Sequence, residues 1–448
     1  MQHLAKSNVP LYLRNKRAAK TTRREHRRWR KQRRSKVTRE AESAEFGSQS
    51  KILVMMGAGS PQPSTVETRK GSVLFVAPEI FSMMEDPAGT VLALSELAMK
   101  LLMPRVRKVN IDLRKVKKYD LAANALLDIL VDEVSVKARQ TQRKIHWKGS
   151  YPADLEQRRM VRSLGVIKFL EVAHEYTSPN EAAHIEAFHE RAKHYVRSLR
   201  VNETDRKSRV TQKFADHVNK CLRRSSKQLL PGARKKLCDY IGEILDNAEE
   251  HAKMFDWTIQ GYLDSSVDAP ICEIAILNFG QSISESLDAL HPESYTKLMI
   301  QPYLDAHAKN GFFGMGWEIS DLLTLIALQG SVSSKNFTNE DTRGNGTVDL
   351  ITFFQKMGQE CKEAEKNEIS ARMTLVSGST AIMFDGKYRM AKTGDGPGII
   401  AFNAQNDLKI KPDSAYVKHL SGRSFPGTVL SIKFNLSPSG STKAVTGD

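Results

Sequence analysis

Apolar and polar positions along the chain alternate between two periods. Val73–Ala77 (VLFVA) and Lys108–Leu113 (KVNIDL) have strand composition, while Leu121–Val136 (LAANALLDILVDEVSV) places its apolar residues at helical spacing. Lys144–Trp147 is a further short strand, and Leu155–Ser163 is a helix that Gly165 stops. Strands alternating with helices predict an α/β domain over 71–177. Residues 178–230 are charged and helix-rich in pattern (EAAHIEAFHERAKHYVRSLR, then VTQKFADHVNKCLRR), which predicts a helical connector. Beyond it, Leu237–Ala252 carries one apolar face made by Leu237, Ile241, Ile244, Leu245 and Ala248. Ile271–Leu277, Met373–Ser377, Thr380–Phe384 and Thr428–Phe434 read as strands, so 231–438 is expected to form a second α/β unit before a short tail, 439–448.

A chain of 448 residues, 40% hydrophobic, is long enough for several domains with proper cores. Its longest apolar stretch, Leu322–Leu328, is about a third of a membrane span, so no transmembrane helix is expected. The beginning, MQHLAKSNVP, has no apolar signal region, and Cys221, Cys238, Cys272 and Cys361 form no CxxC pair. These features predict a reducing, cytoplasmic setting. The formal charge of +17 is unevenly spread. Residues 1–40 hold 15 of the 68 Lys and Arg against Glu25 and Glu40 alone, so they supply +13 of it. Such a block repels itself, which predicts a basic disordered tail and linker over 1–70. Its charge density also suits nucleic acid, with Tyr12 and Trp29 as the only stacking side chains.

Chemistry concentrates in LCDYIGEILDNAEEHA. Glu243 and Asn247 are four apart and stack on one side of the helix. A carboxylate and an amide oxygen placed this way can hold a hydrated Mg²⁺, which prefers oxygen ligands and keeps much of its water. The carboxylate can also take a proton from water attacking a phosphoryl group. The strand Ile271–Leu277 ends in Asn278-Phe279-Gly280-Gln281-Ser282, a polar side chain followed by glycine, suited to an adenine edge. Further on, Thr342-Arg343-Gly344-Asn345-Gly346-Thr347 precedes the apolar helix VDLITFFQKMG, an anion site in the making.

A helix with ExxxN, a strand ending in NxG and an RGxG turn before a helix, in this order, resemble the GHKL ATP-binding superfamily of gyrases, heat-shock chaperones and histidine kinases. The resemblance covers roughly 216–436 and implies a Bergerat-type α/β (α+β) sandwich. It implies ATP and Mg²⁺ as cofactors, with Asn247 as metal ligand, Glu243 as ligand and general base, and Asp246 and His251 within the same box. Asn278, Gly280 and Ser282 stand at the first glycine box, and Arg343, Gly344, Asn345, Gly346 and Thr347 at the second. With the second box there, Ser284–Asp341 becomes a long lid; the competing site is Gly314/Gly316, before ISDLLTLIALQGSVSS. Two residues depart from the pattern: the family's aspartate is Asn278 and its last glycine is Ser282.

The preceding order of elements over 71–177 resembles the STAS domain of anti-sigma-factor antagonists. In those domains a phosphorylatable hydroxyl follows an aspartate at the start of the central helix. Here Asp120 is followed by Leu121, Ala122 and Ala123, which implies docking or dimerisation instead of a phospho-switch. His174-Glu175-Tyr176-Thr177-Ser178-Pro179 is similar to a phosphoacceptor box but lies only 73 residues before Asn247, so it reads as coincidence. The expected function is ATP-dependent regulation of a protein partner, with slow hydrolysis and with a homodimer as one assembly. The alternatives are a protein kinase acting in trans on Ser, Thr or His, and a nucleic-acid-associated module with a degenerate nucleotide site.

Overall fold

The computed structural model describes residues 50–58, 66–69, 71–103, 106–164, 184–192, 203–224, 226–250, 254, 256–266, 270–314, 316–329, 332, 349–354, 356, 371–391, 398–436 and 443–445. They belong to one compact unit, formed by 48–194 with 202–448. Its first part runs α1 (Lys51–Gly57), β1 (Val66–Arg69), β2 (Ser72–Val76), β3 (Ile80–Phe81), α2 (Pro87–Leu102), β4 (Lys108–Asp112), β5 (Lys118–Tyr119), α3 (Leu121–Gln140), β6 (His146–Ser150) and α4 (Leu155–Leu164). The second part runs β7 (Ile185–Ala192), α5 (Glu203–Arg223), β8 (Lys227–Leu229), α6 (Pro231–Glu250), β9 (Trp257–Asp264), β10 (Ile271–Phe279), α7 (Ile283–Asp288), α8 (Tyr295–Lys309) and α9 (Ile319–Ala327). It closes with β11 (Ala371–Gly378), β12 (Thr380–Phe384), β13 (Val417–His419), β14 (Phe425–Asn435) and β15 (Lys443–Val445).

Two sheets organise the unit. The smaller has the order β1-β2-β4-β6. Its β2, β4 and β6 are parallel, which requires the crossover helices α2 and α3. Asp86 and Asp120 cap these helices, accepting from the backbone N–H of Gly89 (2.9 Å) and Ala123 (2.8 Å). The larger sheet has the order β13-β12-β11-β14-β10-β9-β7, antiparallel throughout. The fold is therefore mixed α/β, with parallel and antiparallel sheets. No helix among the described residues is long and apolar enough to cross a membrane.

Side chains alternate across each strand, so the larger sheet serves two cores. Ala275, Leu277, Phe279, Val376 and Val429 point to α3 and share a core with Val73, Phe75, Ile111, Leu126 and Leu130 of the first part. Ile274, Ile276, Met373, Leu375, Leu430 and Ile432 point the other way, into a core completed by Phe214 of α5, Leu237, Ile241 and Leu245 of α6, and Leu322 and Leu325 of α9. The two parts named in the sequence thus meet across a shared, buried surface. One bond within that surface runs from the Leu121 backbone N–H, at the start of α3, to Glu273 Oε2 on β10 (2.8 Å).

Three expectations change. The tail and linker assigned to 1–70 contain α1, whose Ile52, Leu53 and Met56 are buried, and β1, which pairs with β2. The connector over 178–230 is not helical throughout. IEAFHERA forms β7, because eight consecutive residues find hydrogen-bonding partners along the edge of β9. Its charged residues then pair with α5 and the residue that follows it, Glu190 with Lys213 (2.9 Å) and Glu186 with Arg224 (2.7 Å). The span Ser284–Asp341 is not a lid over its whole length, since Trp317, Leu322, Leu323, Leu325 and Ile326 are core residues.

Candidate functional site

Strand register places residues far apart in sequence on a single line across the larger sheet. Trp257 on β9 stands opposite Asn278 on β10, which stands opposite Thr428 on β14. Thr428 faces Ser377 on β11, Ser377 faces Thr380 on β12, and Thr380 faces His419 on β13. Directly opposed residues in antiparallel strands share a face, so these six side chains form one transverse row. The row lies on the α6/α9 side, one step beyond the apolar rank of Ile276, Leu430, Leu375 and Ile382. Hydroxyls knit its middle: Ser377 Oγ and Thr428 Oγ1 are 2.9 Å apart, and the Ile283 N–H donates to Ser377 Oγ (2.9 Å).

Helix ends close both flanks. On one side the Trp257 Nε1–H donates to Glu249 Oε1 (2.9 Å), fastening the last turn of α6 to the row. On the other, the buried Asp321 of α9 accepts from Thr380 Oγ1 (2.7 Å) and from the Glu318 N–H (2.8 Å), and lies 3.0 Å from His419 Nδ1. Burial raises the Asp321 carboxyl above the usual aspartate range, against the opposing pull of those hydrogen bonds and of His419. The His419 side chain keeps 16% of its surface exposed.

Backbone geometry holds Asn278 in place. A Cβ on Gly427 would lie 2.1 Å from the Asn278 carbonyl oxygen, and Gly427 has φ +134, so only glycine fits that crossing. Asn278 is half-buried, and no described residue hydrogen-bonds its amide side chain. Gly280 follows with φ +130. Ser282 is buried as the cap of α7. Its Oγ accepts from the Glu285 N–H (3.3 Å), while the Glu285 carboxylate accepts from the Ser282 N–H (2.7 Å).

The remaining sequence-derived residues distribute as follows. Glu243 is half-buried on α6, and the Asn247 backbone lies one turn further along the same helix, its side chain outside the described ones. Asp246 is exposed and pairs with Lys207, which also reaches Glu249 (2.7 Å). His251, Arg343, Gly344, Asn345, Gly346 and Thr347 lie outside the described residues. The competing glycines are described: Gly314 (φ +90) and Gly316 (φ +82) sit in a left-handed turn that leads into α9. Reading the sequence missed Ser377, Thr380, His419, Thr428 and Asp321, because only the register gathers them. Among the described residues, no three His, Cys, Asp or Glu side chains group as a metal site. His307 also fills a structural role, accepting from Trp317 Nε1–H at Nδ1 (3.1 Å) and donating from Nε2 to the Leu408 carbonyl (2.9 Å).

No family model, curated protein or solved structure matches this chain in the comparisons made.

Proposed function

We propose that this chain is an ATP- and Mg²⁺-binding regulatory protein of the GHKL type, working in the cytoplasm, with a STAS-like layer on the sheet's opposite face. One observation carries the reading: the α6 turn that holds Asn247 is fastened to the Trp257–Asn278 end of a polar row that closes an otherwise apolar face. A half-buried amide at that place fits the amino edge of adenine, accepting through its carbonyl oxygen without the charge of an aspartate. Glu243 and Asn247 stand one helical turn apart on α6, and a carboxylate and an amide at that spacing are enough for a cation that retains its water. When bound, Mg²⁺ would offset charge on the phosphates. Glu243 would hold the attacking water and accept its proton, so slow hydrolysis is expected. The shared core between the α3 layer and the sheet gives nucleotide occupancy a direct mechanical path to a partner docked on the first part.

Calorimetry with ATP and Mg²⁺ on the full chain, with phosphate release followed in parallel, tests this. Wild type is expected to bind, Asn247→Ala to lose the Mg²⁺-dependent part of the affinity, and Glu243→Ala to bind without releasing phosphate. Absence of binding by wild type at millimolar ATP would sink the reading. Radiolabel from the γ-phosphate ending on a partner protein would replace hydrolysis by kinase chemistry in trans.

A further inference from the structure

The parallel strands β2, β4 and β6 all start at one rim of the smaller sheet, with Ser72, Lys108 and His146 in register. Backbone bonds draw the flanking segments to the same rim. The Arg107 N–H donates to the Gly71 carbonyl (2.8 Å), the His146 N–H to the Arg107 carbonyl (2.8 Å), and the Arg143 N–H to the Ala138 carbonyl at the end of α3 (2.7 Å). Arg143 also reaches the Met103 carbonyl beyond α2 (3.3 Å). The described residues of the two segments that build the rim, 97–103 with 106–111 and 134–153, contain eight Lys or Arg and no Asp or Glu. Arg107, Lys108, Arg139, Lys144, His146 and Lys148 are exposed.

The opposite rim of the same sheet is also basic, yet acids lie among its cations: Arg114 pairs with Asp112 (2.6 Å) and Lys117 with Glu79 (2.7 Å). The two helix C-termini at the first rim explain Lys100, Lys137 and Arg139, which complement the helix dipoles. They do not explain Arg107, Lys108, Lys144 and Lys148, which belong to the strands and their approaches. The rim cations also act against one another. Burial and then the Arg143 charge pull the Lys137 ammonium below its ordinary range, and burial and then Arg107 do the same to Arg143. A surface that gathers like charges without acids is relieved by an anion from outside.

We propose that this rim binds the sugar–phosphate backbone of a nucleic acid, along the line that runs from Arg107 and Lys108 to Lys144, His146 and Lys148. The line's form favours a linear polyanion. Exposure alternates from Lys144 to Lys148, so Lys144, His146 and Lys148 share one side and the two ammonium groups recur about 13 Å apart at strand rise. Strand β6 is the sheet's edge, so this cationic side is not covered by another strand. A bilayer is a poorer fit, because the alternating apolar residues, Ile145 and Trp147, pack against the core and offer no wedge for lipid. The rim is separate from the polar row and does not rest on the nucleotide reading.

Fluorescence anisotropy of labelled single-stranded RNA, single-stranded DNA and duplex DNA with the full chain, between about 50 and 200 mM salt, tests the proposal. The variant combining Arg107→Gln, Lys144→Gln and Lys148→Gln alters only exposed side chains, and its melting temperature checks the fold. Its plot of log affinity against log salt is expected to be shallower by about 2–3 than wild type, at roughly 0.7–0.9 for each phosphate no longer neutralised. Unequal losses on RNA and DNA identify the favoured polymer. A control combining Lys309→Gln, Lys409→Gln and Lys418→Gln, exposed cations elsewhere, is expected to keep the wild-type slope. An unchanged slope in the rim variant would show that cations elsewhere carry the binding, and equal loss in the control would reduce the effect to net charge. Either result overturns the proposal, as does rim-dependent binding to phosphatidylserine vesicles with none to nucleic acid.

Discussion

On the face covered by α3, the polar rank of the larger sheet lies at the end where Tyr262, Glu273, Lys433 and Arg372 stand opposite one another. On the other face it lies at the far end, along Asn278, Thr428, Ser377, Thr380 and His419. The carboxylate and the cations of the first rank are matched, while the Tyr262 hydroxyl is buried with no hydrogen-bond partner among the described residues. Glu273 binds Lys433 (2.8 Å) and the Leu121 N–H (2.8 Å), and Arg372 reaches Glu85 (2.7 Å). The second is uncharged over most of its length and leaves Asn278 and Thr428 half-exposed. Charges beneath a packed layer must be satisfied by that layer, because an unmatched one destabilises the fold. Neutral polar groups at a rim can stay open, and that makes them available to a ligand. The ion pairs on the α3 face therefore serve structure, and the open end of the row on the α6/α9 face is where the proposed nucleotide site lies.

The sharpest way to break this comparison is on the structural face. Arg191 of β7 binds Asp132 (2.9 Å) and Glu133 (2.9 Å) of α3, and Asp256 (3.2 Å), with both Glu133 and Asp256 fully buried. Arg191→Met strands those carboxylates and is expected to cost about 3–5 kcal/mol in urea unfolding; a loss under about 1 kcal/mol would show that the matching is dispensable.

Next comes the buried carboxyl at the end of the binding row. Because the folded protein holds the Asp321 proton above the ordinary value of 3.8, folding takes up a proton as pH rises past that point. Stability should therefore fall with rising pH until the raised pKa is passed, by at most about 1.4 kcal/mol per pH unit. Asp321→Asn should remove this slope while keeping an oxygen for the Thr380 hydroxyl. Unfolding midpoints for both proteins across the acidic range decide it, and parallel pH profiles would refute the assignment.

Asn278→Leu separates the faces most cleanly. It extends the apolar rank of Ile276, so unfolding free energy should change by less than about 1 kcal/mol, whereas ATP affinity should fall at least about tenfold. Equal affinity in both proteins would remove Asn278 from the site. The smallest effect is expected from Thr428→Val, which removes one hydroxyl partner of Ser377 and should cost about 1 kcal/mol or less by thermal denaturation.

The sequence was readable where local pattern and tertiary role agree. Thr380–Phe384 begins and ends where alternation and composition put it, and α6 buries the expected Leu237, Ile241, Leu245 and Ala248 while leaving Ile244 half-buried. It was misleading at β7, where Glu, Ala, Arg and His favour a helix and only the free edge of β9 makes a strand. The apolar helix α2 has no helical signature in the sequence, because it is buried on several sides and shows no clear polar stripe. Glu243 and Asn247 were visible because one helix carries both. Asn278 was visible too, at the end of a strand before a glycine, but Ser377, Thr380, His419 and Thr428 were not, since they come from four further strands and meet it only through register. Asp321 reaches them from a segment that the sequence assigned to a lid.

Strand spacing turns the polar row into a ruler. Neighbouring strands lie about 4.8 Å apart, so the four steps from Asn278 to His419 span about 19 Å, and the step to Trp257 makes about 24 Å. That length sets Asn278 and the Asp321–His419 pair too far apart to grip one chemical bond together. The two ends can therefore change by mutation independently of each other, one tuned for what it holds beside α6 and the other for the proton it keeps beneath α9.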